Sequence, residues 1–550
     1  MTQADFPPGP GPGNGTPSDW PAEVDIAIVG AGFSGMYMLY RARAMQMRAI
    51  VLEAGDGVGG TWYWNRYPGA RVDIESLEYS YEFSEQLQQD WQWSERFAPQ
   101  PELLRYANHV ADRFELRRDI RFQCQVSSAH WQEAGHRWLV TTADGRRLSA
   151  QYLVMATGCL SSTNRPVIEG LDSFAGECHH TGRWPHEPVS FAGKRVGVIG
   201  TGSSAIQAIP VIARDAASLT VFQRTANYTV PAHNRPLDKA YEARIKAEYP
   251  AFRARNQQMH NAFGSGQPRH DQSALAVTPE AREAAYEARW QIGGLGFLGA
   301  FNDLMIDERA NATAAEFVRN KIRRIVKDPV TAELLCPTQP IGCKRICVDS
   351  GYWATFNEPH VHLVDIAGQG IERVTPNGVV VGGQLHPLDM LVLATGFDAM
   401  TGTLLRMDIR GVDGLPLQQK WSAGPLTYLG LGVAGFPNLF TISGPGSPSV
   451  LTNMLVSLQQ HVDWVADCVA HLRAQGKTRI EADPHAERDW VRHVNAVADK
   501  TLYPGCNSWY LGANVPGKTR VFMPLIGYPA YRDTCAEVAQ GGYTGFRLGA

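Results

Sequence analysis

Two glycine-rich turns are the places where this chain could hold phosphate. Gly30-Ala-Gly32-Phe-Ser-Gly35 follows the apolar run Val24–Val29, and Gly200-Thr-Gly202-Ser-Ser-Ala205 follows Arg195–Ile199. In each, the first glycine permits a tight turn and the second lets the backbone approach a pyrophosphate. The third position, Gly35 or Ala205, must be small so that the following helix packs on its strand. The helix N-terminus then turns its partial positive charge and free N–H groups toward the phosphates. Ser203 and Ser204, inside the second turn, join the candidate contacts.

The residue that ends the next strand differs between the two units. Glu53 lies 23 residues after Gly30, at the end of Ala49–Leu52. A carboxylate there accepts from ribose hydroxyls and repels a 2′-phosphate, which selects FAD or NAD. Arg224 lies 24 residues after Gly200, with Thr225 next to it. An arginine fork there suits a 2′-phosphate and predicts NADPH; the bland alternative is a solvated strand-end arginine. Gly59-Gly60-Thr61-Trp62-Tyr63-Trp64 adds a second glycine turn soon after Glu53. It is similar to the element that follows the first unit in flavoproteins with two dinucleotides, which tips the first site to FAD. Gly60 and Trp62 are therefore candidate flavin contacts. Asp73, further along, reads locally as the N-cap of a helix over Ile74-Glu-Ser-Leu.

A third stretch, Phe174-Ala-Gly176-Glu-Cys-His-His180-Thr181-Gly-Arg-Trp184-Pro185, lies between the two glycine turns. Taken as Phe-x-Gly-x-x-x-His-Thr-x-x-Trp-Pro it specifies six positions in twelve, sharper than a glycine fingerprint alone. Its bland reading is an interdomain linker with a buried ring, a turn glycine and a kinking proline.

The elements that must position these residues follow from pattern and length. A chain of 550 residues predicts several domains. With 44% hydrophobic and 19% charged residues it is globular, and a net charge of −3 offers no basic field for nucleic acid or anionic membrane. No apolar run approaches the ~18 residues of a membrane span. Nine scattered cysteines without a Cys-x-x-Cys predict reduced thiols in a cytoplasmic protein, with neither a zinc module nor a disulfide redox centre. The fold class is α/β, with two Rossmann-like dinucleotide-binding domains and a helical insertion. Residues 1–20, rich in Pro and Gly, read as a disordered tail. Residues 21–160 and 391–550 form a discontinuous FAD-binding domain. Residues 161–225 and 336–390 form the NADPH-binding domain, and 226–335 a helical insertion without strand patterning. Residues 120–158 alternate apolar and polar as an antiparallel excursion. Two strands ending in Ala-Thr-Gly, Leu153–Gly158 and Leu391–Gly396, mark a chain that leaves and re-enters the first domain.

Together the glycine turns, the twelve-residue stretch, Gly59–Arg71, Ile341-Gly-Cys-Lys-Arg345 and Trp509-Tyr-Leu-Gly-Ala-Asn514 resemble the type I Baeyer–Villiger monooxygenases, in the branch of phenylacetone and steroid monooxygenases. The resemblance runs from about Val24 onward. It implies bound FAD, NADPH as reductant, and insertion of oxygen from O2 beside a ketone through a C4a-peroxyflavin. It assigns Arg345 as the catalytic cation, Asp73 as its positioning carboxylate, and Lys344 with Arg224 at the 2′-phosphate. His180 and Trp184, with the rest of the signature, would couple domain motion to catalysis. Ser449, Val450, Leu451 and Met454 would line the substrate pocket with Trp509, which also counts among the cofactor contacts. The bulk of Val450 argues against carrying over the relatives' substrate range. No metal is implied, nor any partner besides O2 and a ketone, and the expected state is a monomer. The runner-up is an N- or S-hydroxylating flavin monooxygenase, whose linker typically ends in an aromatic and Lys where this chain has Trp184-Pro185. A nucleotide-sensing protein would show no substrate-stimulated NADPH oxidation.

Overall fold

The computed structural model describes residues 20–512 and 523–549. Residues 1–19 of the expected tail and 513–522 of the loop after Trp509 lie outside them. Two separate sheets carry the two glycine turns. The first has eight strands, in the order Asp408–Arg410, Val126–Gln132, Arg137–Thr142, Arg147–Met155, Glu23–Val29, Ala49–Leu52 and Ile120–Arg121, with Leu439–Thr441 also pairing Arg147–Met155. Around Glu23–Val29 the pairing is parallel, and the strands read as continuous apolar runs because both faces are covered. The alternating stretch at 126–155 is the antiparallel excursion that its pattern predicts.

The second sheet has five parallel strands, in the order Val361–Asp365, Ser218–Gln223, Arg195–Ile199, Met390–Leu393 and Glu177–His180. Two sequence expectations shift here. The boundary expected at 391 cuts Met390–Leu393 from the sheet it completes, so the second Ala-Thr-Gly strand belongs to the second sheet and the crossover follows it. The twelve-residue stretch is also more than a connection, since Glu177–His180 is an edge strand paired to Met390–Leu393. A small antiparallel sheet, Arg373–Thr375, Gly378–Val381 and Gln384–Pro387, decorates this unit.

Residues 226–335 are mainly helical, with one departure. Thr229–Pro231 forms a short parallel pair with Cys347–Asp349 that the sequence pattern did not reveal, because three residues are too few for periodicity. The helix Glu308–Ile325 starts where the Asp307 side chain accepts from Arg309 and Ala310 N–H. It buries Ala310, Ala314, Phe317, Val318 and Ile322, one helical face. Buried Asn311 on that helix donates to Ile341 O at 2.8 Å and accepts from Ile341 N at 3.0 Å. The insertion thereby fixes the backbone that leads into Lys344 and Arg345.

Cysteine pairing corrects another expectation, that of reduced thiols. Cys343 and Cys506 form a disulfide with Cα atoms 5.6 Å apart, within ordinary disulfide reach. Their separation of 163 residues hides the pair from any local motif. The other seven cysteines are free thiols.

Candidate active site

At the first glycine turn, Gly30 holds φ +103°, and a Cβ there would stand 2.7 Å from Ala156 O. The helix Phe33–Ala44 starts at Gly32 with no side-chain cap, so its first N–H groups remain free for a ligand. Facing it, Gly60 also has positive φ, and a Cβ on it would come within 2.8 Å of Gly32 Cα. Two stretches of bare backbone thus form a slot that any side chain would fill, which fits a pyrophosphate. Glu53 is buried, and its two oxygens accept from Ala31 N at 2.6 Å and Gly55 N at 2.8 Å. Burial raises its pKa, while these N–H bonds oppose the rise. Besides the expected ribose contact, then, the carboxylate braces the turn itself, and each oxygen keeps a lone pair for a hydroxyl.

The second turn repeats the arrangement. Gly200 has φ +112°, and a Cβ there would meet Ala394 O at 2.4 Å. The helix Ser203–Asp215 is likewise uncapped at Gly202, and nothing lies within 4 Å of a Cβ placed on Gly202. Ser203 Oγ lies 3.1 Å from Cys347 Sγ, and Ser204 hydrogen-bonds the Tyr67 hydroxyl. Thr201 Oγ1 donates to Thr225 O, tying the turn to the strand end that carries exposed Arg224. Lys344 comes close enough to Arg224 that burial and the arginine's charge together lower its pKa. Among the described residues no carboxylate forms a salt bridge with either. Two cations held together without an acid make a site for an anion, and a 2′-phosphate fits it.

Between the two cradles runs the Gly59–Asp73 segment. Trp62 is buried and donates from Nε1 to the Tyr79 hydroxyl. Tyr67 donates its hydroxyl to Gln207 Oε1 at 2.8 Å, and Gln207 Nε2 donates to Arg71 O, so the segment rests on the helix of the second unit. At its end Asp73 accepts two hydrogen bonds from Arg345, Nε to Oδ2 at 2.6 Å and Nη2 to Oδ1 at 3.0 Å. Residues 74–80 form turns, so the helix-cap reading of Asp73 fails: both its oxygens serve the arginine. Arg345 Nη1 donates to Val450 O at 2.6 Å. Burial works against its charge, but Asp73 outweighs it and holds the pKa above the usual arginine value, helped by a hydrogen bond with Tyr510. The guanidinium is a permanent cation with a fixed aim, 22% exposed.

An apolar cluster adjoins Val450, whose carbonyl takes that hydrogen bond. Cys159, Ala399, Met400, Val450, Tyr510 and Met523 are its buried members, and Leu451, Met454, Tyr503 and Trp509 pack against them. Ser449 is fully buried with φ +44°, and Met400 has φ +66°, so two non-glycine residues hold left-handed backbone at this place. The resemblance points to Val450, Leu451, Met454 and Trp509, which lie in this cluster, and to Ser449, whose hydroxyl lies 3.7 Å from Met400 Sδ; it does not point to Cys159, Ala399, Met400, Tyr503, Tyr510 or Met523. Only Tyr510 carried a signal, its adjacency to Trp509.

The signature residues sit apart from Arg345, where the chain crosses between the sheets. Residues 159–164 and 396–400 run alongside each other through Asn164 N to Gly396 O, Asp398 N to Ser162 O and Met400 N to Cys159 O. His180 accepts from Gly182 N at 3.0 Å through Nδ1, and its Nε2 lies 3.3 Å from Thr395 Oγ1 of the second Ala-Thr-Gly. Burial pushes its pKa down to about 4, so it is neutral. Thr181 is fully buried, Trp184 packs in the second unit's core beside Phe191, half-buried Pro185 follows it, and Phe174 packs on a neighbouring cluster. A Cβ on Gly176 would stand 2.3 Å from Asp389 O.

A family model described as pyridine nucleotide-disulphide oxidoreductase matches residues 27–272. The chain is 41% identical to a Baeyer-Villiger monooxygenase of Pseudooceanicola batsensis, over 95% of this chain and 96% of that protein. It is 40% identical to a phenazine N-monooxygenase of Lysobacter antibioticus, over 95% and 97%. Among solved structures, an oxidized steroid monooxygenase bound to NADP superposes with a TM-score of 0.91 at 50% identity, covering 96% and 99% of the two chains. A complex of OTEMO with FAD and NADP gives 0.92 at 40% identity, covering 96% and 99%.

Proposed function

The chain belongs to the Baeyer–Villiger monooxygenases, and on that premise we propose how its residues divide the work. The enzyme uses FAD and NADPH to oxidise a ketone with O2 to an ester or lactone. When bound, the reduced flavin supplies the activated oxygen that is inserted beside the carbonyl. Gly30, Gly32, Gly35, Glu53, Gly60 and Trp62 hold the FAD. Gly200, Gly202, Ser203, Ser204 and Thr225 hold the NADPH, and Arg224 with Lys344 takes its 2′-phosphate. Arg345 stabilises negative charge that develops on oxygen at the ketone, and Asp73 aims it. A fixed cation is what such charge needs, because the stabilisation costs no reorganisation when the charge appears. One observation supports this division above the others: the Arg345–Asp73 pair lies where the segment between the two cradles meets an apolar cluster.

The substrate class we infer is an apolar ketone, since the cluster beside Arg345 is aliphatic, thioether and aromatic. We place the enzyme in the cytoplasm, where NADPH is supplied, and as a monomer, since one chain furnishes both cradles and the Arg345–Asp73 pair. Among the described residues no helix is long and apolar enough to cross a membrane. The test is a gas-chromatographic product screen with NADPH and air, offering phenylacetone, cyclohexanone, a large-ring ketone, a steroid ketone and phenazine. Ester or lactone from a ketone supports the reading. The phenazine N-monooxygenase relative supports a second reading, N-oxidation, and N-oxide as the sole product would replace the first.

A further inference from the structure

The Cys343–Cys506 disulfide joins the segment that carries Arg345 to the loop that supplies part of the apolar cluster. Cys343 directly precedes Lys344 and Arg345. Cys506 lies in the loop that presents Tyr503, Trp509 and Tyr510, and it is wired into that loop: Cys506 N donates to Tyr503 O, Ser508 N donates to Cys506 O, and the Ser508 hydroxyl accepts from Tyr510 N. Tyr510 in turn hydrogen-bonds Arg345. Both segments also rest on one stretch of the helical insertion. Leu502 N donates to Met305 O, and a Cβ on Gly342 would meet Met305 Sδ at 2.4 Å. The disulfide adds a covalent tie between the arginine segment and the loop.

We propose that Cys343–Cys506 is a redox-sensitive positioning device: closed, it holds the Tyr503–Leu511 loop against Arg345; opened, it lets NADPH oxidation run on while oxygen transfer to the ketone fails. The inference rests on the reading of Arg345 given above. A dithiol opens it by attack of a thiolate on one sulfur, and its second thiol then displaces the remaining protein sulfur. The dithiol leaves as a cyclic disulfide, having given two electrons, and both cysteines end as thiols. Hydrogen peroxide closes it again: the two thiols lose two protons and two electrons, and the peroxide becomes two waters. That oxidant is what an uncoupled monooxygenase releases, so an enzyme with an open tie produces the reagent that closes it.

The experiment uses the FAD-loaded full chain. Wild type is taken through dithiothreitol, desalting and hydrogen peroxide. At each stage the state of Cys343 and Cys506 is read by alkylation and peptide mass mapping, and the ratio of ester formed to NADPH consumed is measured. Reduction should lower that ratio by up to roughly a hundredfold, the scale expected when a catalytic group is misplaced by about 1 Å, with FAD still bound, and peroxide should restore it. Cys506→Ser should behave as the open form and ignore both reagents; if it does not fold, the wild-type cycle decides alone. Mapping that finds only thiols after peroxide overturns the proposal, and so does an unchanged ratio across the cycle. An enzyme that makes no ester in either state overturns instead the functional reading beneath it.

Discussion

Single residues divide cleanly between reading a phosphate and managing charge at the ketone. Arg345→Ala should cut ester formation by about 10²–10³, the cost of removing one oxyanion donor. NADPH oxidation should continue with hydrogen peroxide as its product, and flavin reduction, followed anaerobically, separates a nicotinamide effect from an oxygen-transfer effect. Asp73→Ala should show the same uncoupling more mildly, because the charge remains and only its aim is lost. Near-normal ester formation by Arg345→Ala would move the oxyanion role elsewhere. At the other cation pair, Arg224→Ala removes a charge-assisted contact of roughly 1.5–3 kcal/mol, or about ten- to a hundredfold in NADPH affinity. NADH should be little affected. Equal losses for both cofactors would mean that Arg224 does not read the phosphate.

At the scale of elements, the twelve-residue signature is an edge strand plus the turn that follows it, hydrogen-bonded through His180 to the point where the chain crosses between sheets. A neutral imidazole with its ring nitrogens engaged there is suited to transmit movement, not to transfer protons. His180→Ala should therefore keep FAD bound and slow turnover, as expected when a conformational step is disturbed. Loss of FAD or unfolding would favour a packing role, and unchanged turnover would remove the coupling idea. The insertion helix Glu308–Ile325 acts in the same indirect way, since Asn311 grips Ile341 and thus sets the register of Lys344 and Arg345.

For the molecule as a whole, one buried acid should shape the pH dependence of stability. Burial, then the neighbouring Glu75 carboxylate, push Glu78 up to about 7, opposed by a hydrogen bond from Gly264 N and by Arg253. A carboxyl whose folded pKa is raised binds its proton more tightly when folded. Its stabilising contribution is therefore present at low pH and is lost as pH rises from about 4.5 to about 7. Glu78→Gln, which keeps an acceptor for Gly264 N–H, should raise Tm at pH 8 relative to wild type and leave Tm at pH 5 nearly unchanged. A variant less stable than wild type at pH 8 would show that Glu78 is ionised in a favourable site.

What the sequence determined by itself is what local spacing can encode. The two strand–turn–helix units follow from short-range sterics and period, as does the opposite charge of Glu53 and Arg224. The helical character of 226–335 follows from composition, and the twelve-residue signature from its fixed pattern. What only the tertiary structure decided joins residues far apart in the chain. Arg345 meets Asp73 across 272 positions, Lys344 approaches Arg224, Cys343 bonds to Cys506, and Tyr510 reaches the guanidinium. Without its resemblance Arg345 is one arginine among many, and nothing in its neighbours' identities marks it as the charged one beside an apolar cluster. The physical reason is that burial and pairing set the worth of a charge or a thiol. Both are properties of the packed molecule: they exist only once the second sheet, the insertion and the loop around Trp509 have closed on one another.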